Sequence, residues 1–114
     1  MALSELERKR IDQTVGAFCR KRSPVHLRDK LQLAYRVKGQ EVVLFERRPQ
    51  WDDPKQWIES PVAKLTFIRS ANKWRLYWMR ADLKWHEYPR PSSSEHFDDL
   101  VREIDADPLA CFFG

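Results

Sequence analysis

The sequence predicts an α+β domain: an N-terminal helix, a largely antiparallel five-stranded sheet in two hairpin groups, and a C-terminal helix with an apolar tail. Three observations carry this. Near each end, apolar side chains recur every three or four residues (Ile11, Val15, Phe18, then Phe97, Leu100, Val101, Ile104), which is the spacing of a helix stripe. Between them the period changes to two, broken by Gly, Asn and Asp turns. Finally, 114 residues with 42% apolar and 33% charged side chains suit one globular domain, residues 1–114, with its own core.

The first helix begins at Ser4-Glu5-Leu6-Glu7, a capping box in which the Ser4 hydroxyl and the Glu7 carboxylate satisfy each other's backbone amides. Ser23-Pro24 ends it, because a residue before proline is pushed out of helical geometry. Arg8, Lys9, Arg10 and Arg20, Lys21, Arg22 cluster toward its two ends, read first as a solvated face and second as a phosphate-contacting one. Leu31, Leu33, Tyr35 and Val37 alternate with polar residues as the first strand. A two-residue Lys38-Gly39 turn returns the chain along Glu41–Phe45 and sets Arg36 opposite Glu41.

Residues 46–61, ERRPQWDDPKQWIESP, lose all periodicity and contain three prolines. The expectation is a structured connection with a helical turn starting at Asp53-Pro54, pinned to the body by Trp51 and Trp57. Val62–Arg69, Trp74–Met79 and Lys84–Tyr88 form the remaining strands, joined by turns at residues 70–73 and 80–83. Even-length loops there pair Phe67 with Leu76, Leu65 with Trp78, and Trp78 with Trp85. Ala63, Leu65, Phe67, Trp74, Leu76, Trp78 and Trp85 then share the core face. PRPSSS at 89–94 reads as a linker, Ser92 with Glu95 as a second capping box, and Leu109–Gly114 as a tail that packs back.

Composition excludes several classes. No apolar run approaches the roughly 20 residues of a membrane span. MALSELERKR has charges where a signal peptide is apolar, so a cytoplasmic protein with no membrane contact is expected. Cys19 and Cys111 read as buried, reduced thiols. With His26, His86 and His96 they have no metal-ligand spacing, and three glycines leave no phosphate-cradling loop, so no metal or cofactor is expected. The net charge of +4 is uneven: residues 1–48 carry 12 basic and 6 acidic side chains, residues 89–114 carry 2 and 6. That asymmetry suits a polyanion-facing side with an acidic back.

The candidate site is Arg75, Tyr77, Lys84, His86 and Tyr88 on the face opposite the core. Tyr77 stands across from His86, and Arg75 from Tyr88. Rings flanked by cations can stack unpaired bases while Lys and Arg follow phosphates. The structural alternative is that these rings support a covering helix, with Arg75 over Tyr88 as a cation–π pair. Arg47 and Arg48 can fork a phosphate or carboxylate, or else tie the loop to Glu46, Asp52 or Asp53. Asp82 and Lys84 with Glu59 or Glu46 faintly suggest a metal-dependent nuclease, although turn chemistry alone explains an aspartate there. The first reading is therefore a non-catalytic module binding nucleic acid, the second a regulatory module binding another protein, and an enzyme comes third. Oligomeric state is not encoded in any of these signals.

Four motifs, FERRPQW at 45–51, SPVAKLTF at 60–67, WRLYWMRADLKWHEY at 74–88 and DADPLACFFG at 105–114, resemble a family of short bacterial proteins known only as a domain of unknown function. The resemblance spans nearly the whole chain. It implies a compact, single-domain, cytosolic bacterial protein, and brings no activity, cofactor or site residue.

Overall fold

The computed structural model describes residues 3–113; Met1, Ala2 and the final tail residue Gly114 lie outside them. Helix α1 (Glu5–Lys21) leads into a short 3-10 turn and strands β1 (Gln32–Lys38), β2 (Glu41–Gln50), β3 (Asp53–Ile68), β4 (Lys73–Met79), β5 (Trp85–Glu87) and β6 (Ser93–Ser94). Helix α2 (Phe97–Ala106) and the tail follow. The sheet is antiparallel throughout in the order β1-β2-β3-β4-β5, with β6 beside β4. The architecture is α+β, as expected.

Local chemistry sets the helix ends. Ser4 N–H donates to Glu7 Oε1 at 2.8 Å, and Glu7 N–H to the Ser4 hydroxyl at 3.1 Å, closing the capping box. That bond from the Ser4 backbone is the main reason the Glu7 carboxyl is held below its ordinary range. The expected second box does not form. Ser92 gives its carbonyl to Leu76 N–H at 2.8 Å, Ser93-Ser94 become a strand, and α2 starts only after His96. Ser94 takes over, accepting His96 N–H and donating to Asp99.

Both helices lie on one face of the sheet, where Ile11, Val15, Phe18, Leu100, Val101 and Ile104 meet Leu33, Val42, Leu44, Leu65, Leu76 and Tyr88. Tyr35 reaches α1 from that face, donating to Asp12 at 2.7 Å. The tail packs back: Phe112 stacks on Tyr88 at 5.2 Å, and the Asp107 carboxylate accepts the Phe112 and Phe113 amides at 3.0 and 2.8 Å. Arg22 joins three elements. Its guanidinium donates to the Asp105 carboxylate and carbonyl and lies 3.9 Å from the Phe113 ring centre. Lys21 adds a 2.8 Å bond to the same carboxylate, so the second basic cluster of α1 is largely structural.

Three expected registers are corrected. In the first hairpin the two loop residues are Gly39-Gln40, so Lys38, not Arg36, faces Glu41; Gly39 supplies the positive φ of 60°. Between β3 and β4 a four-residue loop moves the pairing by two, so Phe67 faces Trp74 and Leu65 faces Leu76. A shift of two preserves the faces, and the predicted core residues of β3 and β4 keep theirs. Between β4 and β5 the loop is odd. Arg80 and Lys84 close around Ala81-Asp82-Leu83, and Leu83, at φ 62°, takes the left-handed position of a three-residue hairpin. That single-residue change turns β5 over: Trp78 faces His86, Met79 faces Trp85 and Tyr77 faces Glu87.

The largest correction concerns residues 46–61. They form no helical turn and no anchored loop. They continue β2 and β3 as a two-stranded arm, Arg47 opposite Glu59 and Pro49 opposite Trp57, turning at Trp51-Asp52. Trp51 at the tip is 92% exposed and pins nothing. The arm belongs to a molecule with extents of 46 × 30 × 24 Å.

Candidate functional site

Because both helices take the same side, the opposite face of the sheet has no helix over it among the described residues. Strand alternation decides which side chains it presents. One row crosses the strands as Arg36, Val43, Lys64, Tyr77 and Glu87, each directly opposite the next. The next row is Lys38, Glu41, Thr66 and Arg75. Phe45 sits beside the first row, and Trp85 lies opposite Met79 at its far end. At the base of the arm Arg47, Trp57 and Glu59 continue the same phase.

Cations lie over rings across this face. Lys64 Nζ is 4.7 Å from the Tyr77 ring centre and 5.4 Å from that of Trp85. Arg36 lies 4.4 Å over Phe45, and Arg47 5.5 Å over Trp57. Each contact lets a charge remain near water while its aliphatic stem covers an aromatic surface. Glu59 accepts from Arg36 at 3.2 Å and lies 3.8 Å from Arg47, so one carboxylate serves two cations. Arg75 stands 3.6 Å from Glu87, and Lys64 4.0 Å from Glu41. Six cations (Arg36, Lys38, Arg47, Lys64, Lys73, Arg75) therefore share the face with three carboxylates (Glu41, Glu59, Glu87), leaving it net positive.

Of the residues singled out in the sequence, the fold places Arg47, Arg75 and Tyr77 on this one face, Arg75 and Tyr77 in adjacent rows and Arg47 farther off at the base of the arm. It separates the other four. Tyr88 is fully buried on the helix side, its hydroxyl donating to Glu103 at 2.6 Å. Burial, reinforced by Glu103, raises the Tyr88 phenol above its ordinary range. Neither an exposed Tyr88 nor a contact between Tyr88 and Arg75 survives. His86 shares the phase of Trp78 and hydrogen-bonds Asp82 through Nε2 at 2.8 Å. Lys84 is exposed in the turn, its amide donating to Asp82 at 3.0 Å, and precedes the open-face residue Trp85 in the opposite phase. Arg48 alternates with Arg47 along β2, so the two guanidiniums leave opposite faces and cannot fork one anion; Arg48 pairs with Glu46 at 3.2 Å.

The suggested nuclease set is likewise dispersed. Asp82 is engaged within its own turn, and its carboxyl is held below the usual range first by the bond from His86 and then by Lys84 N–H. Glu59 is held by Arg36 of β1 and Arg47 of the arm, and Glu46 separately by Arg48. Among the described residues no three His, Cys, Asp or Glu side chains are grouped to hold a metal ion.

Arg36, Phe45, Lys64, Trp57 and Trp85 are the residues of this face that sequence reasoning left out of the site. Alternation already put Lys64 opposite the core. The aromatic partners were hidden by the odd loop before Trp85 and the irregular composition of the arm. Among the described residues no helix is long and apolar enough to cross a membrane.

The chain belongs to the family described as Domain of unknown function (DUF3024), whose model matches residues 3–114. Neither the curated proteins nor the solved structures give a significant match.

Proposed function

From a family whose description assigns no activity, we propose that this chain is a non-catalytic module that binds single-stranded nucleic acid on the open face of its sheet. The observation that carries the reading is the helix-free face itself, on which Tyr77, Trp85 and Phe45 lie among six cations and three carboxylates. Extruded bases can stack on the half-buried rings of Tyr77 and Trp85, with Phe45 buried beneath Arg36 as their support, while Arg75, Lys64 and Arg36 are spaced across the strands to meet a backbone. A bound phosphate competes with Glu59 and Glu87 for their arginines, so affinity is moderate and falls with salt.

An electrophoretic shift assay with single-stranded and duplex probes over a salt series tests this. The wild type should retard the single strand more than the duplex. Trp85→Ala should weaken binding about ten- to hundredfold, the loss of one stacked base. Arg75→Glu should weaken it and flatten the salt dependence. Failure of the wild type to shift either probe at low salt refutes the proposal.

One observation favours protein binding as the second reading. Residues 46–61 carry three cations and four acids, and they expose Trp51 and Ile58. Such an arm suits a protein surface better than a phosphate backbone. On that reading a partner stays bound at high salt and is lost from Trp51→Ala.

A further inference from the structure

Where the end of α1 meets the start of β1, a cavity of about 250 Å³ opens at the edge of the sheet, lined by Cys19, Arg20, Ser23, Arg28, Gln32 and Leu33. Its floor is neutral. Leu33 and Cys19 are buried, and burial pushes the Cys19 thiol up to about 12, so it carries no charge at neutral pH. Ser23 is spent on the strand edge, its hydroxyl accepting the Leu33 amide at 2.8 Å and donating to the Leu33 carbonyl at 3.3 Å. The two arginines differ from most others in the chain. Seven arginines are met by carboxylates, among them Arg22 by Asp105, Arg36 by Glu59 and Arg75 by Glu87. Arg20 and Arg28 form no ion pair among the described residues, although they share one cavity whose walls hold no carboxylate. Arg28 is nevertheless held in place: its Nε–H donates to the Ser23 carbonyl at 3.0 Å, and Gln32 Nε2 donates to the Arg28 carbonyl at 2.9 Å. Arg20 folds back along α1, where a Cβ at Gly16 would come within 3.3 Å of its Nη1, so the missing side chain at that position gives the guanidinium its place. Asp12 accepts the Tyr35 hydroxyl at 2.7 Å and does not line the cavity.

We propose that this cavity binds the dianionic phosphoryl group of a phosphate monoester. Charge selects the class. Two guanidiniums without a counter-charge are balanced by one dianion, whereas a single carboxylate leaves one arginine uncompensated. Each guanidinium offers a fork of N–H donors to phosphate oxygens, and neither has to give up a carboxylate first, unlike Arg36, Arg47 and Arg75 on the open face. Size agrees. At about 250 Å³ the cavity is smaller than the roughly 300–1,000 Å³ of sites for drug-sized ligands, so it takes the phosphoryl group and leaves the rest of the ester outside. Gln32 lies opposite Arg47 in the register, which puts the cavity at the β1 border of the open face. The phosphoryl group can therefore come from a soluble phosphomonoester or from the terminal phosphate of a strand lying on that face. The inference itself does not rest on the nucleic-acid reading.

Titration of the full chain with inorganic phosphate tests this, at about pH 8 where phosphate is a dianion. The backbone amide resonances of Ser23 and Leu33 report on the site, with sodium chloride of equal ionic strength as the reference. In the wild type they should move saturably, with a dissociation constant in the millimolar range. Acetate, a monoanion, should bind about tenfold or more weakly. Arg20→Met should weaken phosphate binding about tenfold or more and leave the fold intact, as its melting temperature checks. Arg28→Met should weaken it likewise, although it also loses the bond to Ser23. Arg75→Met, on the open face, should leave it unchanged. Shifts that never saturate, an equal response to acetate, or an equal loss in Arg20→Met and Arg75→Met overturns the proposal. Single strands with and without a terminal phosphate then separate the sources. A phosphorylated strand that moves Leu33 at lower concentration than free phosphate, where its hydroxyl counterpart does not, assigns the site to a strand end. Equal behaviour of the two strands, with phosphate binding intact, assigns it to a soluble phosphomonoester.

Discussion

Replacing Tyr88 and Trp85 in turn discriminates between two readings of β5, because the odd-length loop makes one architecture and leaves the other on the surface. Tyr88 is fully buried, stacked 5.2 Å from Phe112, and its hydroxyl donates to Glu103 at 2.6 Å. Tyr88→Phe removes that bond and leaves a part-buried carboxylate short of one donor, a cost of about 1–2 kcal/mol. For a domain of this size that lowers Tm by about 4–8 °C. Tyr88→Ala also empties a ring-sized space beneath α2 and the tail, and should cost about 3–5 kcal/mol, much of the roughly 5–15 kcal/mol available to an ordinary domain. Trp85 is half-buried on the open side, where Lys64 lies over it at 5.4 Å. Trp85→Ala loses part of one ring's burial and should cost about 1 kcal/mol. Urea unfolding followed by circular dichroism measures all three, with the midpoint as the readout. The reasoning fails if Trp85→Ala destabilises as much as Tyr88→Ala, since the two residues would then have to share the core.

Two further outcomes are expected. Asp105 is held below the ordinary carboxylate range, first by the hydrogen bond from Lys21 and also by Arg22, so its folded-state pKa lies below its unfolded value of about 3.9. The stability it contributes is complete above pH 4 and is lost as pH falls through the folded value; thermal melts of Asp105→Asn should therefore lie below the wild type at pH 7 and converge with it in acid. Cys19 is buried, and burial pushes its thiol up to about 12, so at pH 8 its alkylation should wait for opening of the fold and accelerate sharply in denaturant, as mass spectrometry of timed samples will show.

The helices were legible in the sequence because their signals are local. Ser4 and Glu7 are three residues apart, and Ile11, Val15 and Phe18 define one stripe whatever they face. The α2 cap misled because Ser92 and Glu95 have the right spacing, yet Ser92 is drawn to the edge of β4, which its carbonyl satisfies. Half of the candidate site was legible for a similar reason. Arg75 and Tyr77 alternate with Trp74 and Leu76, which are buried, so their side of the sheet followed from β4 alone. His86 and Tyr88 required the phase of β5 relative to β4, and no pattern within either strand contains it.

What the sequence determined by itself was the membership of each face within a strand, the helix stripes and the apolar tail, because side-chain periodicity belongs to a single element. Only the tertiary structure decided how those elements are phased and where the chain leaves the core. Leu83 in the left-handed region makes the β4–β5 loop odd and exchanges Trp85 with Tyr88, although leucine is a poor signal for that conformation. The arm is the second case. Its prolines and aspartates read as a broken loop, yet the pairing of Arg47 with Glu59, twelve residues away, makes it a ribbon. Cross-strand hydrogen bonds between distant residues overrode a local composition that favours turns, and the exposed arm they form is a property of the fold alone.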